Sequence, residues 1–327
     1  MSLDADLIVD RRRMRRKLTF WRVLTVLVAI VAVVGAGVML TGRPGAMSSG
    51  PGGSIARISI EGLIRGNRQR VEALERLSKS DAKAVIVHVN SPGGTVAGSE
   101  ELYDSLTKLK AKKPIVVVVD GLAASGGYIA ALAADRILAQ QSAIVGSIGV
   151  IFQYPNVTEL LKTIGVQIES IKSTPLKAAP SGYEPTSPEA RAAVEAMVKD
   201  SYDWFRTLVR DRRRLDPGLL QQVSDGRVFT GRQAVELKLI DAIGDEQAAL
   251  DWLAKEKNID PKTPVRDYPL SPRFGDLPVL RVALHGMLDL VGLKGLAERF
   301  NEWGALQAVE RLNLDGLLAL WHPPSSN

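Results

Sequence analysis

Two runs of largely β-branched residues, Ala84–Val89 and Pro114–Val119, most constrain how this chain can fold. Each is six residues long and leads into turn-forming residues. That is too short for a free-standing helix and typical of a buried strand. Between them, Thr95 to Lys110 carries Leu102, Leu106 and Leu109 at helical spacing. Strand, helix, strand is a βαβ unit, which predicts a right-handed crossover and a mostly parallel sheet with helices on its faces.

The alternation continues on both sides. Upstream, Ser54–Ile60 alternates like a half-buried strand, and Gln69–Leu77 carries Val71, Leu74 and Leu77 at helical spacing. Downstream, the pattern predicts a helix over Tyr128–Asp135, a strand over Arg136–Ala139 and a turn at Gly146-Ser147-Ile148-Gly149. A helix near Val157–Ile164 and a strand over Val166–Ile171 follow. Residues 172–189, with Pro175, Pro180, Pro185, Pro188 and Gly182, have no periodicity and read as a lid or substrate-lining loop. A long helix from Pro188 to about Leu215 comes next, then a short one opened by Asp216-Pro217. A third spans Thr230–Leu239, with Thr230 as N-cap.

The ends of the chain differ from this body. Val23–Leu40 is an uncharged stretch of 18 residues, roughly 27 Å as a helix and so about one hydrocarbon core. Phe20 and Trp21 flank it, and the basic cluster Arg11–Arg22 predicts a cytoplasmic N-terminus. A cleaved signal peptide is the competing reading, but the run exceeds an h-region of roughly 7–15 residues and no A-x-A site follows. The expected organisation is a basic cytoplasmic tail (1–22), a transmembrane anchor (23–40), a flexible Gly/Ser/Pro linker (41–53), a folded domain (54–258) and a C-terminal helical extension (259–327). Five of the 17 prolines fall in 259–278, and amphipathic helical patterns appear only at Val279–Leu290 and Leu306–Leu320.

Composition removes several chemistries. The formal charge of +6 suggests nucleic acid until it is located. Residues 1–22 hold seven basic and three acidic side chains, a net of +4, which leaves +2 for the remaining 305 residues. The basic signal belongs to the tail, so no nucleic-acid partner is expected. There is no cysteine, and the three histidines, His88, His285 and His322, have no metal-ligand spacing. Zinc chemistry is not expected, and the serine mechanism developed below needs no metal or organic cofactor.

Open α/β sheets keep their chemistry in loops at the carboxyl ends of strands. Asn90-Ser91-Pro92-Gly93-Gly94 and Ser125-Gly126-Gly127 both fall at such ends. Ser125 is therefore the candidate nucleophile, with the Gly126 amide and the Gly93-Gly94 turn as oxyanion donors. His88 lies inside a strand and is expected to be a sheet residue with a satisfied hydrogen bond. A lysine whose ammonium is destabilised by burial can serve as base instead, and Lys172 and Lys177 both lie past a strand end in the irregular segment.

Five stretches in order closely resemble the bacterial signal peptide peptidase A family of serine/lysine proteases. They are Asn90–Gly94, Ala123–Tyr128, Val145–Val150, Ile171–Lys177 and Asp225–Ala234. The resemblance covers about residues 54–258. It implies a Clp protease/crotonase-like α/β fold of βαβ units with helices on both faces of the sheet, preceded here by one N-terminal transmembrane helix. It also implies Ser125 as nucleophile, Lys177 as general base, Ser147 as the residue that orients the lysine, and Gly94 with Gly126 as the oxyanion hole. A single-pass protein of the bacterial inner membrane is expected, with its protease domain outside the cytoplasm. It would form a homo-oligomeric ring and take remnant signal peptides and other membrane-derived or misfolded polypeptides as substrates. The alternative is a catalytically silent or acyl-binding crotonase-like module, which keeps the glycines and needs no lysine.

Overall fold

The computed structural model describes residues 21–22, 53–270 and 318–321. All but Trp21 and Arg22 belong to one compact unit made of residues 49–271 and 304–327. The expected span 23–40, the pattern 279–290 and most of 306–320 lie outside the described residues. Among the described residues no helix is long and apolar enough to cross a membrane.

The elements run in the order β1 (Ile55–Ile64), α1 (Arg68–Ser78), β2 (Ala84–Thr95), α2 (Val96–Lys110), β3 (Ile115–Ala124), α3 (Gly126–Ala131), β4 (Arg136–Ala139) and β5 (Ile144–Gly146). Then come α4 (Thr158–Thr163), α5 (Pro188–Arg213), α6 (Pro217–Val223), β6 (Val228–Thr230), α7 (Gly231–Glu236), β7 (Ala242–Ile243), α8 (Glu246–Lys257), β8 (Val265–Asp267) and β9 (Leu318–Leu320). The sheet order is β6-β5-β3-β2-β1-β8, with β4 and β7 continuing from the first half of β3 and β9 lying on β2. Pairings β1–β2, β2–β3, β3–β4 and β3–β5 are all parallel. The βαβ reading therefore holds.

Both faces of the sheet are covered. Ile55, Ile86, Val116, Val118 and Leu138 form a buried cluster with Ala249 and Leu253 of α8. Side chains alternate along a strand, so Val85, Val87 and Val89 face the other way, and α1 and α2 bury Leu74, Leu77, Leu102, Leu106 and Leu109. Each such fully buried leucine contributes about 1.5–3 kcal/mol. Local chemistry fixes the helix starts: Asn67, Thr95, Ser187, Asp216 and Asp245 each accept a backbone N–H in the first turn. Thr230 and Gln233 form a capping box on α7.

Three expectations are corrected. Asn90–Gly94 is not a turn but the irregular end of β2, which continues to Thr95 after a register shift between Val89 and Ser91. Glycine makes this possible, because a Cβ on Gly94 would sit 1.8 Å from the Ile64 carbonyl oxygen on β1. Val166–Ile171 is not a strand. Its alternation is real, but among the described residues no strand pairs with it, and Val166, Ile168 and Ile171 are exposed. Finally, Leu318–Leu320, the end of an expected helix, is a strand.

The sheet also forks. The first half of β3 pairs with β4 through Val116–Val119, and its second half pairs with β5 through Leu122–Ala124. Ser125 lies immediately beyond that fork.

Candidate active site

Ser125 joins β3 to α3 with φ 52° and ψ −116°. A positive φ on a residue with a Cβ costs on the order of 1–3 kcal/mol, and the surroundings hold it there. Its N–H donates to Gly146 O at 2.7 Å, and its carbonyl accepts from Tyr128 and Ile129 at 2.9 and 3.0 Å. The residue is buried, and its Oγ donates to Gly149 O at 3.5 Å. A strained strand-to-helix turn of this kind thrusts the hydroxyl out of the path of the main chain.

The glycines around it are set by close packing. A Cβ on Gly126 would lie 2.2 Å from Ser99 Oγ, and one on Gly127 would lie 2.6 Å from Ser91 O. Gly93, at φ +103°, sits where a Cβ would come 2.7 Å from the Gly126 nitrogen. Gly126 is the first residue of α3, so its N–H has no partner within the helix. Tyr128 anchors the helix from below: its hydroxyl donates to Leu239 O at 2.7 Å, and complete burial pushes its phenol up.

Ser147 follows β5 at φ 51°, with its N–H on Arg227 O at 2.8 Å. The Gly146 carbonyl before it is the acceptor of the Ser125 N–H. Ser125, Gly126, the Gly93-Gly94 end of β2 and the Ser147 turn thus meet at one place.

Among the described residues no hydrogen bond or ion pair joins Lys177 to them. It is exposed on the irregular 172–187 segment, and among the described residues its amine has no hydrogen bond or ion pair, while its backbone N–H donates to Thr174 O. Lys172 is ion-paired to Glu184, which holds the Glu184 carboxyl below its usual range. His88 is the sheet residue expected: Nδ1 lies 3.0 Å from both Asp120 carboxylate oxygens and Nε2 lies 2.7 Å from Glu246.

Two features were not read from sequence. One is the edge at Ile151, and the other is β9. Leu318 exchanges both main-chain bonds with Ile151, at 2.9 and 3.0 Å, while Trp321 N–H donates to Pro92 O at 2.8 Å. The register sets Gly94 opposite Ala319 and Gly93 opposite Leu320. An extended peptide therefore lies between the 151 edge and the end of β2, beside Gly126. Leu318-Ala319-Leu320 is apolar throughout and closes a stretch whose spacing fits an amphipathic helix, so no local signal marked it as a strand. Segment 148–152 further lines a cavity of about 640 Å³ with Tyr154, Val194, Val198 and Tyr202.

Among the described residues no cluster of His, Asp and Glu has the makings of a metal site. The residues that converge supply a hydroxyl, backbone donors and strand edges, the parts needed for acyl transfer on an extended peptide.

Comparison with known proteins agrees. The model of peptidase family S49 matches residues 107–260, and that of Clp protease matches 65–147. A Synechocystis protein named as a protease is 38% identical over 209 residues, covering 63% of this chain and 76% of that one. A protein of Enterococcus faecium named signal peptide peptidase SppA is 36% identical over 224 residues, covering 64% and 65%. Protease 4 of Salmonella typhi is 34% identical over 205 residues, covering 59% of this chain and 33% of its own. The chain thus spans less than two thirds of the Enterococcus protein and a third of the Salmonella one.

Proposed function

The chain belongs to peptidase family S49 and is a serine peptidase, and from that premise we propose that it cuts extended peptides with Ser125 as nucleophile and Lys177 as general base. The observation that carries this reading is Ser125 held at positive φ beside two glycine-bordered backbone edges. In the first step the lysine takes the hydroxyl proton and Oγ adds to the scissile carbonyl. The N–H groups of Gly94 and Gly126 receive the oxyanion. The lysine then gives its proton to the leaving amine, and a water activated by the same amine hydrolyses the ester. Ser147 orients the lysine. Neither a metal nor an organic cofactor enters. The silent-module alternative gives way to the family membership.

Assembly is the proposed route by which Lys177 reaches Ser125. Its segment and the stretch just before it expose Ile168, Ile171, Leu176 and Tyr183, an apolar surface that a ring of like subunits would cover. Remnant signal peptides are the proposed substrates, a reading supported by the name of the Enterococcus relative. Residues 23–40 are the proposed anchor, with the peptidase domain on the far side of the bacterial inner membrane.

Cleavage of a fluorogenic peptide by the full chain in detergent tests the dyad. Ser125→Ala and Lys177→Ala are each expected to lose activity by at least about a hundredfold, while Lys172→Ala keeps it. Full activity in both of the first two refutes the dyad. A dead Lys172→Ala beside an active Lys177→Ala reassigns the base.

A further inference from the structure

We propose that the end of the sheet opposite Ser125 is a membrane-docking surface, with a cavity there that takes the phosphate of an anionic phospholipid. That a bilayer lies near rests on the anchor reading above; the site itself rests on its own residues.

Strands β1 to β4 are parallel and start level, with Ile55 opposite Ala84, Val85 opposite Ile115 and Val116 opposite Arg136. Ser125 follows β3, a strand of 10 residues, and so lies roughly 30 Å from that level. The chain enters the domain at the starting end, where Ser54 O accepts the Lys83 N–H at 2.8 Å. Residues 41–53, which join the proposed anchor to Ser54, are rich in Gly, Ser and Pro and would span roughly 20 Å as a coil. The starting end is therefore the part of the domain that an anchored chain holds closest to the bilayer.

A cavity of about 410 Å³ lies there, lined by Lys110 of α2, Asp135 before β4, residues 211–214 at the end of α5 and Asp241 before β7. Basic side chains at helix ends suit the dipole, but here they outnumber the carboxylates left to offset them. Asp211 accepts from Arg210 Nε at 2.8 Å, and Asp241 accepts from Arg213 at 2.9 Å and from the Ile137 N–H at 2.7 Å. Of the three carboxylates in the lining, that leaves Asp135 alone against Lys110, Arg212 and Arg214, and Asp135 also accepts the Ile115 N–H at 2.9 Å. Arg212 donates to the Leu132 and Ala134 carbonyls at 2.7 Å each, which fixes its plane and leaves Nη1 and the whole charge for a ligand. Among the described residues the side chains of Lys110 and Arg214 have no hydrogen bond or ion pair. Burial, and after it the Arg212 charge, lower the Lys110 pKa against the pull of Asp135. An anion between Lys110 and Arg212 would reverse that shift.

Planar guanidinium groups beside a lysine suit an anion with several acceptor oxygens, as a phosphate has. Lys83 and Lys112 are exposed at the same end, against Asp81, and carry the positive field beyond the cavity. A free phosphate would use the cavity alone, whereas a layer of headgroups meets both. Basic side chains are drawn to an anionic bilayer within a Debye length, about 8 Å at physiological salt. Docked by this end, the domain holds Ser125 roughly 30 Å above the headgroups. A substrate segment is then cut only after it has left the bilayer.

The test uses the full chain in vesicles of phosphatidylcholine with or without phosphatidylglycerol. The chain has no cysteine, so one dye can be placed through Ala111→Cys, exposed after α2, or through Glu61→Cys, exposed near the carboxyl end of β1. Energy transfer to a lipid-borne dye is expected to rise at position 111 and not at 61 when phosphatidylglycerol is added. The rise should vanish at about 1 M salt, where the Debye length is about 3 Å. Lys110→Gln with Arg214→Asn removes two charges and no side-chain hydrogen bond, and should lower the docked-to-free ratio about twentyfold. The same variant should cleave a soluble fluorogenic peptide in detergent as wild type does. No rise at 111, an equal rise at 61, or a rise that Lys110→Gln with Arg214→Asn keeps in full overturns the docking surface. Inorganic phosphate bound in calorimetry without any response to phosphatidylglycerol marks a site for a free anion and overturns it equally. Flotation with phosphatidylcholine vesicles at high salt tests the anchor by itself. A chain left behind refutes the anchor, and transfer at 111 that still follows phosphatidylglycerol upholds the docking surface.

Discussion

The Ser-Gly-Gly sequence is explained first by space. Gly126→Ala brings a methyl against Ser99 Oγ, whose hydroxyl is tied to Thr95 O. Overpacking of this kind costs about 1–3 kcal/mol. Chemical denaturation should show that loss, and adding Ser99→Ala should restore part of it, because residues in contact do not act additively. Tyr128→Phe leaves the Leu239 carbonyl without its buried donor, a loss of about 1–3 kcal/mol visible in the same measurement. At this scale the sequence was informative where chemistry is local: a serine before two glycines after a β-branched run reads as a strand-to-helix corner. It could not reveal that the second glycine exists for Ser91 or the first for Ser99, because those contacts cross the fold.

Elements were legible in proportion to how far their own residues decide them. The runs 84–89 and 114–119, the helix opener Asp216-Pro217 and the cap at Thr230 supply their own signals, and each formed its element. Val166–Ile171 shows the converse. Its alternation is that of a strand, yet a strand needs an edge to pair with, and among the described residues none pairs with it. Asn90–Gly94 misleads in the other direction, since glycine and proline mark a turn in sequence but here permit close approach to β1. Because the 166–171 side chains are exposed, Ile168→Asp with Ile171→Asp should shift stability by no more than about 0.5 kcal/mol. If the segment meets a neighbouring subunit, the same pair should abolish assembly in light scattering, with peptidase activity lost alongside. By contrast, Ser187→Ala removes the cap on α5 and should cost about 1 kcal/mol in thermal unfolding.

Across the whole molecule, one chain of charges ties the sheet to its last helix. Arg57 on β1 bonds Glu246 on α8 through two nitrogens, at 2.7 and 2.6 Å, and Asp267 on β8 at 2.8 Å. Glu246 also meets His88 on β2, which meets Asp120 on β3. Hydrogen bonds from Arg57, followed by His88, hold the Glu246 carboxyl below its usual range against the opposing effect of burial. The unfolded carboxyl titrates near about 4.3, so this contribution is fully present above that pH and fades as pH falls through the lower folded value. Glu246→Gln should flatten the loss of stability below about pH 4.3, as followed by denaturant midpoints. None of this network was readable beforehand except His88 as a satisfied sheet residue, because its partners lie 32 and 158 residues away. The walls of the cleft have a consequence of a different kind. Ile151 and the end of β2 grip a peptide by its main chain on both sides, and a helix has already spent those donors and acceptors on itself. Such a cleft reads conformation before composition: it selects for segments that have come unwound and passes over the same residues while they remain coiled.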